Sequence, residues 1–190
     1  MAFFGGSTSS LLFALFVLLA VNPSSARFIG NTDATTEDLL GSICSGTLDP
    51  PFCSKVIKDI PEAAQASRLD SLGQAAIPFA HSKGEETHKY VQSLVGSATN
   101  PRLKENYGSC ADNYNEAVGI LEEAQGMFKS KDYPGVSIRA SACMTEVDTC
   151  KESFKESGTT DPSQLPQKNE YFNMLCVIIL RVANKLGGAA

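Results

Sequence analysis

The sequence predicts an all-α protein, in which residues 61–190 form an antiparallel up-and-down four-helix bundle and residues 27–60 form a leader and a helical hairpin, stapled by disulfides. Apolar or small residues recur at alternating spacings of four and three over three long segments, a pattern typical of a seam that faces neighbouring helices at shallow crossing angles. Short breaks with Pro or polar residues separate these segments. Connections this short favour antiparallel neighbours.

Residues 1–26 are predicted to be a removable signal peptide. The apolar run 11–21 is too short to span a bilayer, which takes about 20 residues. Pro23 and small residues up to Ala26 follow it, which suits cleavage before Arg27. We therefore expect a secreted, extracellular protein with no membrane contact in its mature form. Exported thiols usually pair, and the six cysteines show neither CxxC nor zinc-like spacing, so we expect disulfides.

The segment from Leu39 to Ile60 is predicted to be the hairpin. Asp49-Pro50-Pro51 interrupts it, and proline cannot continue a helix. We expect two short helical arms folded against each other and closed by a Cys44–Cys53 bridge.

The first bundle helix is expected over about 62–98. Pro78 predicts a kink or a break near Ile77, and Gly73 and Gly84 weaken this helix further. The seam residues of the next three helices are Leu103, Tyr107, Cys110, Tyr114, Ala117, Leu121, Ala124 and Phe128; then Val136, Ala140, Cys143, Val147, Cys150 and Phe154; then Phe172, Leu175, Ile179, Val182 and Leu186.

The seams bring particular cysteines to similar heights. If the chain turns around residues 130–134, Cys110 and Cys150 come within about one helical turn of each other. Cys143 would miss Cys110 by roughly 15 Å, whereas a disulfide needs Cα atoms within about 7 Å. A Cys110–Cys150 bridge is preferred, but Cys176 also comes level with Cys150, so spacing alone leaves both pairings open.

The composition excludes several functions. The formal net charge is −5, which argues against a nucleic-acid partner, because phosphate neutralisation needs a basic surface. The chain has two His and no Trp, and it contains no nucleophile elbow, phosphate loop or dinucleotide fingerprint. We therefore expect no catalytic residues, no cofactor, and a protein that works by binding.

Two polar patterns are candidate sites. His81, Glu85 and His88 share one helix face, but nearby Gly84 and the lack of a fourth ligand favour a solvated face and no metal. On the helix of Cys110, an acidic stripe lies opposite the seam. It is either an ordinary solvated face or a surface that steers the protein toward a basic partner, and it comprises Glu105, Ser109, Asp112, Glu116, Gly119 and Glu123.

Three motifs carry a family resemblance: Cys44-x8-Cys53 with Thr47 and Pro50 between, Tyr107-x2-Cys110-x3-Tyr114, and Ala140-Ser-Ala-Cys-Met-Thr-Glu-Val-Asp-Thr-Cys150-x3-Phe154. With the closing apolar helix they resemble the plant invertase and pectin methylesterase inhibitor family over about residues 38–187, a single inhibitor domain. The resemblance implies a Cys44–Cys53 hairpin on a bundle stapled by Cys110–Cys150. Cys143 and Cys176 are extra thiols, free or paired.

The resemblance implies an enzyme inhibitor and not an enzyme. Invertase inhibitors have a Pro-Lys-Phe element at the turn before the helix of the fourth cysteine, where this chain has Tyr133-Pro134-Gly135. Ser130-Lys-Asp-Tyr133 and Ala140-Ser-Ala look more like pectin methylesterase inhibitors. We therefore expect an apoplast or cell-wall protein that binds pectin methylesterase one-to-one and covers its pectin-binding cleft with the helices of residues 82–98, 102–128 and 136–154.

The contacts expected from this resemblance are outward polar side chains, namely Tyr90, Asp112, Asn115, Glu116, Asp132, Ser141 and Thr145. Two other functions are kept as alternatives. One is inhibition of cell-wall or vacuolar invertase. The other, from a different class, is an apolar-ligand carrier that holds its cargo inside the bundle.

Overall fold

A helical hairpin and four long helices make up the part of the chain that the structure describes. The computed structural model describes residues 36–63 and 66–188, so the predicted signal peptide lies outside the described residues. These residues belong to one unit, Asp33–Ala190. The helices are α1 (Thr36–Cys44), α2 (Pro50–Asp59), α3 (Leu69–Ser97), α4 (Pro101–Lys129), α5 (Tyr133–Glu156) and α6 (Leu165–Leu186). The predicted all-α class is confirmed, and none of the helices so described is long and apolar enough to cross a membrane.

The hairpin consists of α1 and α2. Asp49 caps α2, because its Oδ1 accepts a hydrogen bond of 2.9 Å from the backbone N–H of Phe52. Pro50 follows at the first helical position, where its missing N–H costs no intrahelical bond. The Cys44–Cys53 disulfide closes the two arms with a Cα–Cα distance of 5.6 Å. The predicted break and the predicted bridge are both confirmed.

Arg181 joins the hairpin to the bundle. The hairpin packs against α6, and Arg181 on that helix donates hydrogen bonds from Nε to the carbonyl of Ile43 and from Nη1 to the carbonyl of Gly46, the latter 3.0 Å long. Carbonyls at a helix C-terminus lack partners within the helix. The guanidinium therefore satisfies acceptors that would otherwise be unpaired at the end of α1.

α3 runs without a break through Pro78, so of the kink or break predicted near Ile77, the break is wrong. The proline lies on the exposed side of the helix. It removes the hydrogen bond to the carbonyl of Gln74, and Gln74 is also an exposed residue. On the other side, buried neighbours hold the helix against the core, among them Ala76, Ile77 and Ala80.

The glycines of α3 are close-approach positions. A Cβ added at Gly73 would collide with the ring of Phe128 from α4. At Gly84 it would lie 3.0 Å from Cγ2 of Val118 and 3.1 Å from Cε2 of Phe172. These residues let α4 and α6 approach the α3 backbone, so they support packing at the expense of helix propensity.

The four long helices pack in the cyclic order α3, α4, α5, α6, each chiefly against two neighbours. The predicted seams face inward: every α5 seam residue is buried, and so are the α4 and α6 seam residues except the half-buried Leu103 and Leu186. Aromatic rings fill the interior, with centroid distances of 5.4 Å for Tyr107–Phe154 and 5.2 Å for Tyr114–Phe172. The predicted packing of four helices around an apolar core is confirmed.

The cysteines complete the bundle. Cys110 of α4 and Cys150 of α5 form a disulfide with a Cα–Cα distance of 4.6 Å, which excludes the alternative Cys150–Cys176 pairing. Cys143 of α5 and Cys176 of α6 are buried and take part in neither this disulfide nor that of the hairpin. Their Sγ atoms lie 2.6 Å apart.

Two tyrosines of α4 donate hydrogen bonds to polar side chains that follow α5 in the chain. The Tyr107 hydroxyl donates a 2.6 Å hydrogen bond to Oδ1 of Asp161 in the α5–α6 connection. Burial first, and then this hydrogen bond, raise the pKa of Tyr107 to about 12. The Tyr114 hydroxyl donates a 2.8 Å hydrogen bond to Oδ1 of Asn169, and burial raises the pKa of Tyr114. The first contact ties α4 to the α5–α6 connection, and the second ties it to the start of α6.

Candidate functional site

Five of the seven expected contact residues lie on adjacent helices, α4 and α5. We call these five residues the α4–α5 face: Asp112, Asn115, Glu116, Ser141 and Thr145. All of them are exposed. They project from the helices opposite the buried seams, as the helical periodicity predicts.

Cross-links between α4 and α5 hold this face in register. Beside the Cys110–Cys150 disulfide, Nδ2 of Asn113 donates a 2.7 Å hydrogen bond to Oε2 of Glu146. Nearer the α4–α5 turn, Nη2 of Arg139 lies 2.8 Å from Oε2 of Glu123. Because α4 and α5 run antiparallel, residues at the same height have numbers that add to a constant, here about 260. Glu116 and Thr145 fit this sum and therefore lie level with each other.

The acidic part of the face is free to meet a partner. The side chains of Asp112, Asn115 and Glu116 have no hydrogen-bond or ion-pair partner among residues 36–63 and 66–188. Two carboxylates and an amide thus stand on adjacent turns of a rigid helix with their acceptors open. They suit a partner surface that offers basic or hydrogen-bond donor groups.

The hydroxyl part of the face is preorganised by its own helix. Ser141 Oγ donates to the carbonyl of Ser137 at 3.0 Å, and Thr145 Oγ1 donates to the carbonyl of Ser141 at 3.2 Å. With the donor used internally, each oxygen still presents acceptor lone pairs outward. Across both helices the face therefore offers mainly acceptors.

Tyr90 and Asp132 lie apart from this face and have structural contacts. The Tyr90 hydroxyl accepts a 3.1 Å hydrogen bond from the backbone N–H of Gln164, and Lys168 Nζ lies 5.0 Å from its ring centroid. Asp132 caps α5, since its Oδ1 accepts a 3.0 Å hydrogen bond from the N–H of Gly135. One stands near the α5–α6 connection and the other at the α4–α5 turn, toward opposite ends of the bundle.

Ile138 is an exposed apolar residue outside the predicted set of contacts. Its side chain is 67% exposed, one turn before Ser141 on α5. The sequence could have indicated this residue, because it is an isoleucine at an outward position of α5. The buried seam of that helix passes through Val136 and Ala140 instead. Ile138 places an apolar side chain beside the polar α4–α5 face.

The remaining polar patterns form no metal centre. Within the described ranges, no group of three or more His, Cys, Asp or Glu residues is arranged to hold a metal ion. His81 and His88 are half-buried and Glu85 is exposed along α3. The acidic stripe of α4 is exposed throughout, from Glu105 to Glu123.

These features define a disulfide-linked helical bundle whose polar groups stand on an outer helix face. The sequence model of the family described as plant invertase/pectin methylesterase inhibitor matches residues 38–182. The chain therefore belongs to this family, whose members are enzyme inhibitors and not enzymes.

Individual relatives agree with this assignment. A pectinesterase inhibitor from Actinidia deliciosa is 34% identical over 189 residues, which cover 100% of both chains. Pectinesterase inhibitor 1 from Arabidopsis thaliana is 32% identical over 83% of this chain and 88% of its own. The crystal structure of a mutant form of a pectin methylesterase inhibitor from Arabidopsis superposes with a TM-score of 0.69 at 30% identity, over 76% of this chain and 95% of that one.

Proposed function

We propose that this protein is a secreted inhibitor of pectin methylesterase that forms a one-to-one complex and covers the enzyme's pectin-binding cleft with α3, α4 and α5. The observation that carries the proposal is the similarity to a pectinesterase inhibitor along the entire length of both chains. The site of action is the apoplast or cell wall, where the substrate of the enzyme is found.

The α4–α5 face supports this mode of inhibition. Its groups are exposed, unpaired in the case of the α4 acids, and held on helices that a disulfide joins. A rigid surface loses little conformational freedom on binding, which favours affinity. An inhibitor bound through shape complementarity and hydrogen bonds at this face would keep the polysaccharide out of the cleft. No chemical reaction of the inhibitor would be needed.

Kinetics with both candidate enzymes test the proposal. Oxidised protein lacking residues 1–26 is added to pectin methylesterase, and acid release from pectin is measured; sucrose cleavage by cell-wall and vacuolar invertase is measured in parallel. We expect the apparent KM for pectin to rise with kcat unchanged, with one inhibitor per enzyme by light scattering. Protein reduced and alkylated before addition is the control.

Invertase is the second candidate target, because the family description names both enzymes. The Tyr133-Pro134-Gly135 turn supports the esterase, since it replaces the Pro-Lys-Phe element of invertase inhibitors. Loss of sucrose cleavage while pectin demethylesterification continues would reverse the assignment.

The apolar-ligand carrier receives no support from the described core. The positions that a cargo would occupy are filled by seam side chains, including the buried rings of Phe128, Phe154 and Phe172. A groove of about 650 Å³ lies outside the core between α3 and α6, and charged residues such as Lys83, Glu86 and Lys168 line it.

A further inference from the structure

We propose that Cys143 and Cys176 form a third disulfide bond, which joins α5 to α6 in the secreted protein. Their Sγ atoms are 2.6 Å apart. Carbon atoms in optimal non-bonded contact stay about 3.5–4.0 Å apart, and sulfur is larger than carbon. Two separate thiols would therefore not pack this closely, whereas a disulfide bond of about 2.05 Å needs only a small further approach.

The surroundings of the pair suit a cross-link better than two thiols. Both residues are 0% exposed, and no metal-binding group includes them within the described residues. Burial raises the pKa of the Cys176 thiol, so the folded reduced pair would be an unreactive one. A disulfide replaces two weakly bonded S–H groups with an apolar link in a buried core.

The proposed bond would add a covalent link between the next pair of bundle helices. Cys110–Cys150 joins α4 to α5, and Cys143–Cys176 would join α5 to α6. Three consecutive bundle helices would then be linked. The last of them also holds the hairpin through Arg181.

The chemistry is a thiol–disulfide exchange with an oxidising disulfide of the secretory compartment, carried by a protein oxidant or by oxidised glutathione. The thiolate of one cysteine attacks the oxidant disulfide and releases one thiol from it. The thiolate of the second cysteine then attacks this mixed disulfide, forms the Cys143–Cys176 bond and releases the second thiol. Two protons and two electrons leave the pair, and the oxidant is reduced by the same amount. Because the sulfurs are buried, the exchange takes place before the core closes.

Thiol labelling of the secreted wild-type protein tests the proposal directly. The full chain is secreted from a plant or yeast host, denatured without reductant and treated with iodoacetamide, and its intact mass and disulfide-linked peptides are measured. We expect no labelled cysteine, a mass six hydrogens below the fully reduced form, and a linked peptide pair containing Cys143 and Cys176. Labels on Cys143 and Cys176 in protein that retains the other two bridges would overturn the proposal.

Single and double substitutions give an independent test. If the bond exists, Cys143→Ala and Cys176→Ala each remove it, so either single variant should lower the Tm nearly as much as the double variant. The remaining cysteine of each single variant should take up iodoacetamide after denaturation. Shifts in Tm that simply add would show that the thiols act separately, and would contradict the bond.

Discussion

Asn113 of α4 donates a 2.7 Å hydrogen bond from Nδ2 to Oε2 of Glu146 on α5. The contact crosses the two helices of the α4–α5 face one turn from the Cys110–Cys150 disulfide. The Glu146 carboxylate is therefore paired within the protein. Asp112 and Glu116, which neighbour Asn113 on α4, have no partner among the described residues. The same surface therefore contains one acid that fixes the scaffold and two that are available to a partner.

Charge reversal at the two available acids should weaken inhibition. In the variant Asp112→Lys with Glu116→Lys, we expect the inhibition constant for pectin methylesterase to rise by about tenfold to a hundredfold, because repulsive contacts at an interface cost about 1–3 kcal/mol. Steady-state inhibition assays measure this change. Thermal unfolding should be unaltered, since neither side chain has a partner within the described residues.

A matched variant separates local contact from net charge. Glu62→Lys with Glu170→Lys makes the same change in charge at exposed positions in the α2–α3 connection and on α6, the helix diagonal to α4. This control should inhibit like the wild type. Equal inhibition by both double variants would remove Asp112 and Glu116 from the interface.

Glycine substitutions should have opposite effects on stability at two positions. Gly73→Ala places a Cβ against the Phe128 ring, and we expect overpacking to reduce the free energy of unfolding by about 1–3 kcal/mol. Gly119→Ala on α4 meets nothing within 4 Å, and should raise it by about 0.5–1 kcal/mol through better helix propensity. Urea unfolding of both variants measures the difference. Stabilisation by Gly73→Ala would contradict the close approach of α3 and α4.

The bundle could be predicted from the sequence because its seams are periodic and its connections are short. The continuity of α3 could not, because Pro78 and Gly73 are helix breakers by local preference. Their effect depends on which way they face: the proline faces water, and the glycine faces Phe128. That information belongs to the tertiary packing.

Like the fold, the candidate site could be predicted from the sequence only in part. Outward positions on α4 and α5 followed from helical periodicity, and the exposed set around Asp112 and Thr145 agrees with it. The contacts of Tyr90 with Gln164 and Lys168 were not predictable, because they depend on how the α5–α6 connection folds back over the bundle end. Long-range contacts of this kind leave no local pattern.

Alkaline pH should destabilise the fold in a defined range. Burial and the Asp161 contact raise the pKa of Tyr107 from 10.0 to about 12, and burial followed by the charge of Asp59 does the same for Tyr171. Above pH 10 the unfolded chain releases these phenolic protons while the folded chain retains them. Stability from these groups is therefore complete below pH 10 and is lost as the pH rises through about 12. Urea unfolding from pH 8 to pH 12 measures the decline.

Phenylalanine variants assign part of that decline to Tyr107. Tyr107→Phe should reduce the free energy of unfolding at pH 8 by about 1.5–3 kcal/mol, because a hydrogen bond to a carboxylate is lost, and it should flatten the alkaline slope. Tyr133→Phe is the control, since the Tyr133 hydroxyl has no hydrogen-bond partner in the described part of the chain. An unchanged slope in Tyr107→Phe would contradict the assignment.

Removing the Arg181 guanidinium should loosen the hairpin more than the bundle. Arg181→Met keeps an apolar stem but leaves the Ile43 and Gly46 carbonyls without their donor, and hydrogen bonds from a charged group contribute about 1.5–3 kcal/mol. We expect faster amide hydrogen exchange in α1, measured by mass spectrometry, with α4 and α5 little changed. Lys185→Met removes an exposed cation from the same helix, and should leave exchange in α1 as it is in the wild type. Equal exchange in both variants would show that apolar packing and the Cys44–Cys53 bridge alone position the hairpin.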